Sequence, residues 1–503
     1  MRFKRIICLA LVMALCFGFS ASAEQTEKTI FVMAGFDDTE YRTWANNQFF
    51  IRMEELTGVS FAYQQYKSLD AWTQAKEQMT AEGEMPDVLF KGALTGAECI
   101  SLREKGVLID LKPYLAEYAP NLWAILQQHP EYLSAITLPD GSIAALPYIS
   151  TLPVQNYIWI NTAWLETLHL EEPTTAEEFV NVLTAFLEKD PNKNGKNDEI
   201  PLGFMGPFDL KFLAHAFGLI ANDYNVFARD GKACFMPLEE NYRLFVTWCR
   251  DLYQAKLLDQ DGFLLSSTLR TVTDSDAAET YGAIITPVAA DVFRTTWGQE
   301  DYSVMLPLAY EGQRIYRDFA GPLLRGAFAV TCACKDPAAM LQWVDHLYTE
   351  EGAILASVGK ENVDYLIDGD DTWRMTESAR NSSAYYSAET LIDGGATSPG
   401  ILAEAFQRRF GGGAKLKKML EKQAQFRGYA EMPFPYYCLT AEQQEQIDAL
   451  QAEIGLYVDM QLARWVLGEE EISDASFSAF EAHLNDLGLP AFLEFWQSVL
   501  DQH

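Results

Sequence analysis

The chain is 503 residues long, 49% hydrophobic and 22% charged, and its 71 acidic against 38 basic side chains give a formal charge of −33 at pH 7. That length suggests two or more domains. The acidity supplies no basic track for a phosphate backbone or an anionic lipid surface, which argues against nucleic acid as a partner.

Met1 to Ala23 opens with Arg2, Lys4 and Arg5, continues through the apolar run IICLALVMALCFGF and ends in Ser20-Ala21-Ser22-Ala23. The pattern is a secretory signal cleaved after Ala23, because the apolar run falls short of the roughly 20 residues that span a bilayer. Leu15 precedes Cys16 where a lipobox carries a small residue, so cleavage is favoured over lipidation. Losing the signal removes three positive charges and makes the mature chain more acidic still.

TIFVMAG at 29–35 reads as a strand, followed by a helical pattern through Trp44, Ile51 and Leu56 that stops at Gly58. VSFAYQQY at 59–66 is the second strand, a helix through Trp72, Ala75 and Met79 ends near Gly83, and DVLFKG at 87–92 is the third strand. This βαβαβ order predicts a parallel sheet covered by helices, with ligands at the carboxyl ends of its strands. No GxGxxG or Walker loop follows those strands, so no nucleotide is indicated. Asp140-Gly141 in LPDGSIAALPY marks a hairpin or tight turn. NYIWIN at 156–161 starts a new αβ alternation, and Thr175 with Glu178 is a capping box opening the helix that follows. The switch near residue 150 is the expected crossing between two lobes.

The six mature cysteines include Cys332 and Cys334 in FAVTCACK, where period-2 alternation puts both thiols on one face of a strand. They read as small buried hydrophobes without a disulfide framework. The six histidines never fall at metal-ligand spacing, so neither a zinc site nor a His-based triad is expected. Asp336-Pro337 reads as a helix start. Thr440 with Gln443 caps a later helix whose face carries Ile447, Leu450, Ile454, Tyr457, Met460 and Trp465.

Several stretches, in order, resemble the extracellular solute-binding protein family 1, the sugar-binding receptors of ABC importers. They are TGVSFAY, EGEMPDVLF, LIDLKPYLAEYAPNL, LPDGSIAALPY, INTAWLETLHLEEPTTAEEF, DPNKNGKNDEIP, GAFAVTCACKDPAAMLQWVDHLYTEEG, GKENVDYLIDGD and LYVDMQLARWVLGEEE. Within GKENVDY, Asn362 stands where the resembling sequences usually carry Gly. The resemblance implies an α/β, two-lobe, periplasmic-binding-protein-like fold with a hinge and an interlobe cleft. The expected division is 24–150 plus 305–345 for the first lobe and 151–304 plus 346–503 for the second, with Gly411 to Gly413 as a flexible joint.

DPNKNGKNDEIP itself follows the first half of an EF-hand: Asp190, Asn192 and Asn194 at positions one, three and five, and Gly195 at the sharp turn. Lys196 at position seven offers its backbone carbonyl, and Asp198 and Glu199 add carboxylates, but Pro201 replaces the bidentate Glu at twelve. Six oxygen ligands suit a structural Ca²⁺ better than Mg²⁺, and the resembling receptors often carry calcium in this loop. The competing reading is an Asx-rich turn with no ion.

The function implied by the resemblance is capture of an oligosaccharide for an ABC permease, outside the cell or in the periplasm of a double-membraned source. The parallel-sheet rule places Phe36, Asp37 and Lys91 at the ligand, with Asp37 and Lys91 serving hydroxyls. Tyr148 lies near the proposed hinge. GAIITPVAADVFRTTWG resembles the part of the family that presents an aromatic to sugar, and Trp297 is its nearest indole. A neutral ligand is favoured over a uronate-rich one by the acidic surface. A secreted carbohydrate-cleaving enzyme is disfavoured because no carboxylate pair, GxSxG or HExxH marks a site; a surface glycan adhesin is a further alternative.

Overall fold

The computed structural model describes residues 29–39, 42–150, 156–266, 270–274, 279–287, 289–293, 301–318, 323–368, 373–391, 397–402, 421–422 and 424–502. The signal segment, Trp297 and the 411–413 joint lie outside these residues. Chain order gives β1 (Ile30–Phe36), β2 (Ser60–Tyr66), β3 (Val88–Phe90), β4 (Leu146–Ser150), β5 (Tyr157–Asn161), β6 (Ile200–Gly203), β7 (Val226–Arg229), β8 (Lys232–Phe235), β9 (Tyr281–Thr286) and β10 (Tyr302–Val304). The short strands β11 (Ala309–Tyr310), β12 (Gln313–Arg314) and β13 (Tyr316–Arg317) precede β14 (Leu323–Val330). The chain then adds β15 (Tyr365–Ile367), β16 (Trp373–Met375), β17 (Gly400–Leu402) and β18 (Ala430–Glu431).

The first sheet has the order β17-β4-β14-β3-β1-β2. β1 is parallel to both β2 and β3, with Met33 beside Tyr63 and Val88. The expected βαβαβ unit is therefore present, its helices ending at Gly58 and Gly83 in left-handed conformations (φ 73° at each) that glycine adopts without a Cβ clash. β14 runs antiparallel to β3 and β4, and β17 is parallel to β4. The second sheet, β10-β5-β9-β6, pairs β6 parallel and β5 antiparallel to β9.

Each sheet has its own apolar core. Trp44, Phe49, Phe50, Phe90 and Trp343 pack under the first, and Trp164, Phe186, Phe245, Trp465 and Trp496 under the second. Strand pairing and these cores divide the chain differently from the expected 305 and 345 boundaries. Met305, Leu308 and Tyr316 lie in the second core, whereas Leu347, Tyr348 and Leu391 lie in the first, whose sheet also takes β17. Local periodicity gives the type of an element but not the sheet it joins. Residues 434–439 strap the two bodies together: Phe434 and Leu439 belong to the second core, Tyr436 to the first, and Cys438 packs against the first sheet's other face.

The caps behave as their chemistry dictates. Thr440 and Gln443 exchange side-chain and backbone hydrogen bonds at the start of the helix Ala441–Leu467, and Asp336 caps Pro337–Asp345. Thr175 Oγ1 accepts from Glu178 N, but the Glu178 carboxylate accepts from Thr174 N instead of closing the box. Asn362 has φ 62°, a conformation that Gly and, among the other residues, Asn reach most easily. Cys332 and Cys334 do not share a strand face. β14 ends at Val330, Thr331 Oγ1 accepts from Ala333 N, and the resulting turn exposes Cys332 while burying Cys334. Met460, expected on the buried face of its helix, is exposed. No helix among the described residues is long and apolar enough to cross a membrane.

Candidate ligand-binding site

At the carboxyl ends of β1 and β3 the structure brings Asp37 and Lys91 together and buries both. Lys91 Nζ stands 3.4 Å from Asp37 Oδ2, and Arg42 Nη1 stands 3.2 Å from the same oxygen. Trp44 Nε1 donates to it at 3.1 Å, and Thr39 N donates to Oδ1. Burial alone would raise the Asp37 carboxyl, but the two cations hold it below its ordinary value. Burial brings the Lys91 ammonium down to about 8 against the pull of Asp37. Arg42 also donates to the carbonyls of Ser387 and Leu391. The cluster is therefore a sealed ionic joint between the loop after β1 and the segment ending at Leu391. Phe36 is buried beside it, and Tyr148 is half-buried, its phenol pushed up to about 12 by burial. Trp297 lies outside the described residues.

The second lobe answers with Asp209, in the helix Gly206–Lys211 just beyond β6. Asp209 accepts from Asn156 Nδ2 at 2.6 Å, Met205 N at 2.7 Å and Arg270 Nη1 at 3.2 Å. Here burial prevails over the single guanidinium and pushes the carboxyl up to about 6. The Tyr316 hydroxyl donates to the Asn156 carbonyl, fastening β13 across the start of β5.

Where the chain passes between the two cores lies a group that no sequence motif announced. His129 and Tyr132 stack at 4.5 Å at the start of the helix Pro130–Ile136, and Asp318 follows β13 where the chain passes from the second core to the first. Burial and the neighbouring Glu131 raise the Asp318 carboxyl, opposed by Arg427. Burial, Glu131 and Asp318 push the Tyr132 phenol up to about 12, and Tyr436 on the strap is raised by burial and Asp318. Phenols, carboxylates and a guanidinium thus lie near enough to shift one another's proton affinity where the chain crosses between the lobes. Their chemistry suits hydroxyl recognition, and they were missed because they come from three distant segments.

A second perturbed carboxyl, Glu279, is pushed up to about 7 by burial and by its hydrogen bond with Asp301. It precedes the amino end of β9, away from the strand ends described above, and accepts from Asn161 Nδ2. That position does not offer it to a ligand held at the carboxyl ends of the strands.

Loop 190–199 lies beside this edge. Asp190 accepts from the amides of Asn194 and Gly195, Asn192 Oδ1 from Asn194 N, and Asn194 Oδ1 from Lys196 N. Asp198 accepts from the Asn194 side chain, which holds its carboxyl below the ordinary value. Glu199 is buried, its Oε1 has no hydrogen-bond partner, and burial raises its carboxyl, with Asp198 and Asp190 adding to the effect. No three His, Cys, Asp or Glu side chains among the described residues converge closely enough to hold an ion unaided. Any ion here needs the amide oxygens of Asn192 and Asn194 and the Lys196 carbonyl, as the sequence pattern proposes.

The chain matches the bacterial extracellular solute-binding proteins over residues 48–354. It belongs to that family. The fructooligosaccharide ABC transporter substrate-binding protein FusA of Streptococcus pneumoniae serotype 4 is 26% identical over 476 residues, covering 90% of this chain and 86% of that protein. The structure of an S. pneumoniae FusA EF-hand mutant in complex with fructo-nystose aligns with a TM-score of 0.64 at 23% identity, over 94% of this chain and 99% of that one. An HMO-binding, ABC-transporter-associated solute-binding protein from Bifidobacterium longum infantis aligns with a TM-score of 0.73 at 20% identity, over 95% and 99%. The fold of this solute-binding protein is thus the two-lobe fold that the sequence resemblance implies.

Proposed function

We propose that this solute-binding protein captures a neutral oligosaccharide between its lobes and delivers it to the membrane subunits of an ABC importer, without cleaving it. The observation that carries the reading is the likeness to FusA along nearly the whole of both chains. The site chemistry agrees. Asp37 and Asp209 are each engaged by cations of their own lobe, so the conspicuous charges at the strand ends are occupied by one another. Phenols and amides remain for hydroxyls. Calorimetric titration with fructo-nystose, other neutral oligosaccharides and a uronate-bearing oligosaccharide tests this: saturable binding of a neutral sugar is expected, and binding of the uronate alone would overturn it.

Calcium at loop 190–199 belongs to the same proposal. Asp190, Asn192, Asn194, Asp198, Glu199 and the Lys196 carbonyl would hold it, and the partnerless Glu199 Oε1 supports the assignment. When bound, the ion would offset the burial and the neighbouring negative charges that raise the proton affinity of Glu199. A ligand that binds only the native state stabilises it by about 2.7 kcal/mol at a hundredfold excess over Kd. A chelator should therefore lower the thermal midpoint by several degrees, and Asp190→Ala should remove that sensitivity. An unchanged midpoint with chelator would leave an ion-free Asx turn.

A further inference from the structure

The second lobe carries a pocket walled by Phe208, Phe212, Asn222, Asn225, Tyr316 and Arg317. Its rim and its floor differ in chemistry. Phe208 is 43% exposed at the rim and meets Phe212 edge-on at 5.4 Å. On the floor, the side-chain amides of Asn222 and Asn225 are each held in one orientation. Asn222 Oδ1 accepts from the backbone amides of Tyr224 and Val226, both at 3.0 Å. Asn225 Oδ1 accepts from Lys211 Nζ at 3.2 Å. Turning either amide over would set N–H against N–H, so both Nδ2 groups are fixed as donors. Both are buried, and neither has an acceptor; Asn225 is only 1% exposed. Two buried donors without an acceptor, on residues that wall one small space, call for a ligand or water oxygen.

The nearby cations do not make this an anion site. Lys211 Nζ lies 3.0 Å from Asp459 Oδ1 and Arg317 Nη2 lies 2.7 Å from Asp223 Oδ1. The enclosed space is about 20 Å³, little more than one water. What enters is therefore one oxygen-bearing edge of a larger molecule whose body rests outside.

We propose that this pocket is a subsite for one uncharged sugar residue of the captured oligosaccharide, with a C–H face of the ring on Phe208 and a ring-edge oxygen accepting from Asn222 and Asn225. This deepens the oligosaccharide reading and rests on it. The subsite makes ligand choice depend on one sugar oxygen, since a deoxy sugar would leave the same donors without an acceptor.

Calorimetric titration of the parent protein, Phe208→Ala, Phe208→Tyr and Asn225→Gly tests it, with fructo-nystose and the tightest-binding neutral oligosaccharide of the panel as probes. Asn225 has φ 59°, which glycine adopts freely, and Phe208 is exposed, so both truncations should fold; circular dichroism checks this. Phe208→Ala should weaken binding about tenfold or more, by analogy with aromatic platforms for bases. Asn225→Gly should weaken it about fivefold, the loss of one hydrogen bond, and Phe208→Tyr should bind as the parent does. Folded truncations with parental affinity would overturn the subsite, reduce the floor to a water site and leave the oligosaccharide reading intact. A parent that binds no oligosaccharide would overturn both.

Discussion

Asp37 and Asp209 are the same side chain, buried at corresponding places beyond strand ends in the two lobes, yet their carboxyls shift in opposite directions. The difference is a matter of counting cations. Asp37 shares its oxygens with Lys91 and Arg42, and two positive charges outweigh the loss of hydration. Asp209 has Arg270 alone, and Arg270 also donates to the Ile285 carbonyl. One guanidinium divided between two acceptors does not offset burial. The first lobe therefore holds a permanent ion cluster, and the second holds a carboxyl whose ionisation burial opposes.

The largest effect should come from removing the anion of the first cluster. Asp37→Ala leaves Lys91 and Arg42 buried without their counter-charge, and breaking a buried pair in this way costs about 3–5 kcal/mol. Urea unfolding at pH 7 should show that loss; a cost below about 1 kcal/mol would mean that the cluster opens to water in solution.

Asp209→Asn should behave in the opposite way. A folded-state value of about 6 against 3.8 means that the native protein binds more protons between those limits, so this group's contribution falls as pH rises through that window. The asparagine variant lacks the penalty. Its stability relative to the parent should improve by about 2–3 kcal/mol between pH 4 and pH 7, with Asn156 turning its amide to accept from the new donor. A relative stability that worsens over that range would reverse the comparison.

The smallest effect concerns Lys91. Its folded value of about 8 lies below the ordinary 10.5, so the unfolded chain holds more protons between the two, and stability from this group should rise with pH across that interval. Lys91→Met should flatten the rise by about 2 kcal/mol, read as urea midpoints at pH 8 and pH 10.

Much of the fold is legible in the chain because its signals are local. TIFVMAG, VSFAYQQY, DVLFKG and NYIWIN each carry an apolar run bounded by turn residues, and each is a strand within a residue or two. Thr440 with Gln443 and Asp336 with Pro337 mark helix starts that need only three residues to form. The site is less legible because its properties are not local. Asp37 and Lys91 do meet at the strand ends, but their burial depends on Arg42 reaching the carbonyls of Ser387 and Leu391. Tyr132, Asp318 and Tyr436 come from a short helix, a lobe crossing and the strap, and no spacing rule connects them. The pocket's donors are equally hidden, since an Asn in a turn announces a turn before it announces a free N–H.

The account turns on closure of the two lobes around an uncharged sugar, and small-angle X-ray scattering of the protein with and without saturating fructo-nystose tests that most directly. Hinge closure brings two bodies of similar size together, so the radius of gyration should fall on saturation while the particle stays the same mass. A radius of gyration that is unchanged at a sugar concentration where calorimetry shows full occupancy would place the ligand on one lobe and contradict the account.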